Sequence, residues 1–310
     1  MEINDGVSAI RNPPLWEIWE YLSDNPKLGD IAEIHGGIEW NIPLKKSLEL
    51  LVSSVHRAGF RKGLDKAHGK LECYYAHGFV YLNVENKFSR TSAHFLPWER
   101  PKVIVNAQII GRGPWRVCAF PDREGLVCYQ NFIGIWPKVA LSIEAIAAIL
   151  NSPLANAALF VQEGKRHNRV RSIGSIPIPP LEVLDYIKID ELVQGYQKIR
   201  RERTDSLCKE SDNWEFVKYL REIDGLILKA YDLPPRLERQ LLDFFRGYPK
   251  PVPFPFPDYF PADFKPCIPL YQYLEMDMKQ TSAGELLKRI EPIDSEVIHE
   301  FVLGLEQRQA

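Results

Sequence analysis

The 310-residue chain predicts an α+β fold. Three observations carry that expectation. Short apolar or alternating runs, separated by glycine and proline, recur between residues 28 and 132. Apolar residues at three- and four-residue steps then recur between 189 and 245. A tract holding eight prolines, residues 249–269, ends both patterns.

The elements follow in order. Residues 1–27 form a lead-in in which Trp16, Trp19, Tyr21 and Leu22 suit one or two amphipathic turns. Residues 28–39 alternate apolar and polar up to Gly36 and Gly37, which predicts a strand entering a turn. Residues 79–82 predict a short strand and residues 103–110 a buried one. Residues 115–120 and 126–132 predict a hairpin joined at 122–125. Ser142 offers an N-cap to a helix that Asn151, Ser152 and Pro153 interrupt, and Pro153 starts another. Residues 176–180, IPIPP, are extended because each residue before a proline leaves the α region. Trp214, Val217, Leu220, Ile223, Ile227 and Tyr231 form one apolar helical stripe, and residues 237–245 a further short helix. The proline tract predicts a boundary or a draped arm, with two short helices, 285–290 and 295–305, beyond it.

Net charge is −2, but its distribution is uneven. Between residues 57 and 124 twelve Lys and Arg outnumber six Asp and Glu, whereas residues 281–310 carry three against six. Such asymmetry predicts a basic working surface and an acidic tail. It also leaves open an interaction scaffold whose tail covers that surface. Five scattered cysteines form no CxxC pair, so free thiols in a cytoplasmic setting are expected rather than a zinc ribbon. No apolar run approaches a membrane span, and the first residues lack the pattern of a secretory signal.

Catalytic signatures are sparse. Gly111 and Gly113 precede a proline rather than a helix, so no dinucleotide or SAM loop is read there. Seven histidines show no HxxxH or HExxH spacing, so no metal ligand is assigned. Asp122 and Glu124 begin a nuclease-like carboxylate pattern, but no lysine follows at Glu-x-Lys spacing. No catalytic residue, metal or cofactor is therefore expected.

The remaining signal is basic and aromatic. Arg100 and Lys102 precede an apolar run ending at Asn106, and Arg112, Trp115 and Arg116 follow around Gly111, Gly113 and Pro114. Lys165, Arg166, Asn168 and Arg169 lie in a second basic stretch, and Arg61, Lys62 and Lys66 in a third. Arginine pairs with guanine edges or phosphate, asparagine with adenine, and tryptophan packs on sugar or base. Trp115 reads equally as a core anchor, and residues 165–171 equally as a solvated helix end.

These pieces fall in a known order. LGDIAEIHGGIEW (28–40), GFRKGLDK (59–66), RPKVIVN (100–106) and RGPWR (112–116) are followed by SIEAIAAILNSPLANA (142–157), HNRV (167–170), IPIPP (176–180) and YDLPPRLERQLLDFF (231–245). In that series the chain resembles the DNA target-recognition, or specificity, domain of restriction–modification systems, as in N6-adenine DNA methylases and type I specificity subunits. The resemblance implies a recognition domain on a mixed, twisted β-sheet over residues 28–186. It implies a helical spacer and docking region over 187–248, while the Pro-rich arm and acidic helices over 249–310 are read from composition and have no counterpart in it. It implies double-stranded DNA as a partner, and a separate SAM-binding methyltransferase subunit, with or without a nuclease subunit. Asn12-Pro13-Pro14-Leu15 resembles the Asn-Pro-Pro-aromatic loop of adenine-N6 methyltransferases, but leucine stands where the stacking ring belongs.

Overall fold

The computed structural model describes residues 14–42, 47–111, 113–162, 167–204, 213–265 and 267–276. Helix α1 (Trp16–Tyr21) follows Leu15 and turns Ile18 and Leu22 into the core. The alternation from residue 28 predicts a strand, yet it opens as a helical turn, α2 (Leu28–Ile31), before β1 (Ala32–Gly36). The reason is local: the Asp30 carboxylate accepts the Lys27 N–H at 2.8 Å and closes the turn.

Helix α3 (Leu48–Leu51) leads into β2 (Val52–Ser53), followed by β3 (Phe60–Leu64), β4 (Leu71–Glu72), β5 (Tyr75–Ala76) and β6 (Val80–Asn83). The chain continues through β7 (Lys102–Asn106), β8 (Ala119–Asp122), β9 (Val127–Cys128) and β10 (Phe132–Pro137). Two four-stranded sheets result. The larger is antiparallel in the order β1-β10-β7-β8. The smaller, β2-β6-β3-β9, is mixed, because β9 pairs with β3 in parallel. Strands β4 and β5 form a separate pair. Gly63 lies at the parallel junction, where a Cβ would stand 2.0 Å from the Val127 carbonyl oxygen.

The predicted hairpin of 115–120 with 126–132 does not form. Strand β8 pairs with β7, and β9 crosses to the other sheet. The Asp122 carboxylate causes the departure by accepting the Glu124 and Leu126 N–H groups, each at 2.9 Å, which turns the chain out of the sheet. The predicted strand over 103–110 ends at Asn106, for reasons given below.

Helix α4 (Ile143–Asn151) starts at Ser142, whose Oγ accepts the Ala145 N–H at 3.1 Å. Every residue of α4 is buried, and it lies against β7 and β8 with α7 also packed on it. Helices α5 (Pro153–Gln162) and α6 (Val170–Gly174) follow. The IPIPP segment is extended: Ile176 and Ile178 bond the backbone of the lead-in at Leu28 and Pro26. Helices α7 (Tyr186–Thr204), α8 (Asn213–Tyr231) and α9 (Pro235–Asp243) come next, and α10 (Leu270–Glu275) packs on α8. The predicted stripe is buried from Val217 to Tyr231, but Trp214, in the first turn of α8, is 66% exposed.

The proline tract is an irregular arm that also enters the core. Tyr259, Phe260 and Phe264 are buried, and Phe254 stacks on Phe216 of α8 with centroids 5.2 Å apart. One continuous apolar cluster runs from Leu15 to Met276. No single described helix is long and apolar enough to cross a membrane. The two helices expected over 285–290 and 295–305 lie outside the described residues.

Candidate nucleic-acid interface

Five of the residues expected to touch DNA are interior. Lys102 is fully buried. Its register partner across β7 and β8 is Asp122, and its ammonium bonds that carboxylate and the Trp98 carbonyl, the latter at 2.6 Å. It is a sheet-locking cation, not a phosphate contact. Trp115 is buried against Phe245, with centroids 4.3 Å apart, and its indole N–H donates to the Tyr248 carbonyl. Its core-anchor reading is the correct one.

Asn106, Arg116 and Asn168 are buried in one carboxamide network. The segment before β8 has no strand partner, so side chains satisfy its backbone. Asn156 Oδ1 accepts the Arg116 and Val117 N–H groups at 2.7 and 2.8 Å. Asn106 Oδ1 accepts the Cys118 N–H, and Asn151 Oδ1 the Ala119 N–H. Asn106 and Asn168 both donate to the Arg116 carbonyl. Buried and bonded to the chain, these amides are withdrawn from a base, and the same bonds end β7 at Asn106.

The carboxylates expected for a nuclease diverge. Asp122 is sealed inside with Lys102, while Glu124 faces outward on Lys62 at 2.7 Å. Among the described residues no group of three His, Cys, Asp or Glu is placed to share a metal ion. Cys73, Cys118, Cys128 and Cys267 are free thiols, and burial pushes the Cys118 and Cys128 thiols well up, away from the reactive thiolate. Leu15 is buried, so it presents nothing to a flipped base, and Asn12 lies outside the described residues.

The structure brings together a different set. On β3, Phe60 and Lys62 share one face, and Tyr81 of β6 stands opposite Lys62. Arg57 lies 6.0 Å from the centre of the Phe60 ring, and Lys62 4.7 Å from that of Phe79. His56 meets the Tyr81 ring edge-on at 5.5 Å. Arg57, His56 and Lys62 are exposed, and the three aromatic rings are half-buried. Arg57 and Lys62 thus each stand over a ring that limits their rotamers, and polar tips face outward over an apolar floor. Arg61 bonds the Gly125 carbonyl and lies 3.7 Å from Glu99; Lys66 and Arg100 are exposed nearby in sequence.

A further exposed cation follows β6. Arg90 is paired to Glu39 at 2.9 Å and has 69% of its side chain exposed. Its partner Glu39 lines a cleft of about 340 Å³ together with Gly36, Gly37, Thr91, Ser92 and Gln130. Gly37 is required here, because a Cβ would lie 2.2 Å from the Tyr129 carbonyl oxygen. A second cleft of about 480 Å³ lies between β8 and α7. Its Arg123 is held by a two-pronged bond to Glu144, so its charges largely cancel.

Sequence reasoning missed Arg57, Phe60, Phe79, Tyr81 and Arg90. The period-two pairs Phe60/Lys62 and Phe79/Tyr81 were the available signal. Arg169 is exposed beside the start of α6, and Arg112, Lys165 and Arg166 lie outside the described residues.

No protein-family model and no curated protein matches the chain. Among solved structures it is similar to the type IIG restriction endonuclease BpuSI at 14% identity and TM-score 0.42, over 73% of this chain and 32% of that one. It is also similar to the HsdS subunit from Thermoanaerobacter tengcongensis at 12% identity and TM-score 0.32, over 66% of this chain and 44% of that one. The chain therefore spans about a third of the first and less than half of the second.

Proposed function

We propose that this protein reads a short sequence in double-stranded DNA as the non-catalytic specificity component of a restriction–modification system. A separate SAM-binding methyltransferase subunit, with or without a nuclease subunit, performs the chemistry. The observation that carries this reading is the outward face of the small sheet, where the cations of the basic segment stand over aromatic rings. The collinear motif series from residue 28 to residue 245 gives that face its context.

In this reading Arg57, Lys62, Lys66 and Arg100 neutralise phosphates, and Arg61 and Arg169 add backbone contacts. Arg112, between Gly111 and Gly113, keeps on sequence grounds its assignment to a phosphate or a guanine edge. The buried asparagines hold the segment before β8 rigid and touch no base.

The test is selection from a random duplex library at low and moderate salt, with sequencing of what is retained. An enriched short motif supports the proposal. Absence of any salt-sensitive retention overturns it.

A further inference from the structure

We propose that Phe95 is a wedge that enters the base stack of the bound duplex. The inference rests on the DNA-reading function above and assigns one residue within it.

Phe95 is 74% exposed, more than any other large apolar side chain among the described residues. Its turn is anchored at Ala93, two residues before it. Thr91 Oγ1 accepts the Ala93 N–H. The indole of fully buried Trp98 donates to the Ala93 carbonyl at 2.7 Å. The His94 ring packs beside the phenyl ring, with centroids 3.9 Å apart. Rigid elements therefore aim an apolar ring at solvent, which costs hydration free energy unless a ligand covers it.

The surroundings select the ligand. Arg90, paired to Glu39, and exposed Arg100 stand five residues before and after Phe95 in sequence, and Glu39, Thr91, Ser92 and Gln130 line the adjoining cleft. An apolar protein pocket that covered the ring would have to desolvate those cations and hydroxyls. A base step offers the ring a stacking surface and offers the cations phosphates on either side. The cleft beside Gly37 has room for the nucleotide edge that the wedge displaces, and Gln130 supplies an amide there.

The experiment uses the duplex enriched by selection, with 2-aminopurine placed at successive positions. Binding of the wild-type protein brightens one position as its stacking is lost. Phe95→Ala abolishes that signal and weakens binding roughly tenfold, the worth of one stacked base. It leaves the melting temperature and the salt dependence as they were, because the ring is exposed and no cation is removed. Phe95→Tyr keeps the signal. If the duplex binds and no position brightens, or if Phe95→Ala binds and brightens like wild type, the wedge is overturned while DNA recognition stands. A wild-type protein that retains no duplex overturns the DNA reading itself.

Discussion

Lys102 and Asp122 face each other across β7 and β8, and neither reaches solvent. Removing one partner strands the other. Lys102→Ala should therefore cost about 3–5 kcal/mol of stability, measured by urea unfolding. The double change Lys102→Met with Asp122→Asn leaves no buried charge and keeps an acceptor for the turn that Asp122 holds, so it should lie closer to wild type than Lys102→Ala. A Lys102→Ala protein that unfolds like wild type and has lost DNA binding would reinstate the phosphate contact.

Asn156 offers a second interior test. Its Oδ1 is the acceptor for two buried N–H groups, those of Arg116 and Val117. Asn156→Ala orphans both and should destabilise the fold by roughly 2–4 kcal/mol. Hydrogen exchange localises the damage: the amides of Arg116 and Val117 should lose protection before those of α8. Uniform protection in the variant would rule out the network as the local anchor.

The surface cations should behave in the opposite way. Lys62 is 46% exposed, and its pair with Glu124 is worth little in water. Lys62→Gln and Arg57→Gln should each leave stability within about 0.5 kcal/mol. Each should weaken binding to all duplexes alike and lower the salt slope by about 1. An unchanged slope in both variants would remove the small sheet from the interface.

These contrasts explain what the sequence disclosed and what it hid. Ser142 as a cap, the Pro153 restart and the IPIPP extension were legible because each rests on local chemistry within four residues. Lys102, Asn106, Arg116 and Asn168 were misread as surface, and Trp115 was left open between core and DNA, because their partners are distant in the chain. Asp122 lies twenty residues from Lys102, and the Tyr248 carbonyl lies far beyond Trp115. A lysine in a strand looks alike whether it meets water or a buried carboxylate. The β9 crossover was hidden for a similar reason, since a side chain rather than a glycine turn directs it.

Glu238 gives a pH dependence. This α9 carboxyl is buried and accepts the Leu270 N–H at the start of α10, and burial pushes it from 4.5 up to about 7. Its folded pKa is raised, so its contribution to stability is complete below about 4.5 and is lost as pH rises through about 7. Glu238→Gln keeps the acceptor and cannot ionise. Its melting temperature should gain on wild type between pH 5 and pH 8, and parallel curves for the two proteins would remove the burial effect.

The proline arm has a consequence for modularity. Lys250 bonds Asp224 on α8, the Pro251 carbonyl accepts the Cys73 N–H, and the Tyr248 carbonyl accepts the Trp115 indole. A single stretch thus staples the strand-rich half to the helical half. The unit of exchange is accordingly discontinuous in the gene. Grafting residues 28–186 into another scaffold without residues 248–264 leaves the Trp115 ring and the Cys73 backbone uncovered, whereas moving both segments together transfers a complete surface. In the proposed DNA-reading role, new specificity would arise through paired crossovers rather than by a cut at the prolines alone.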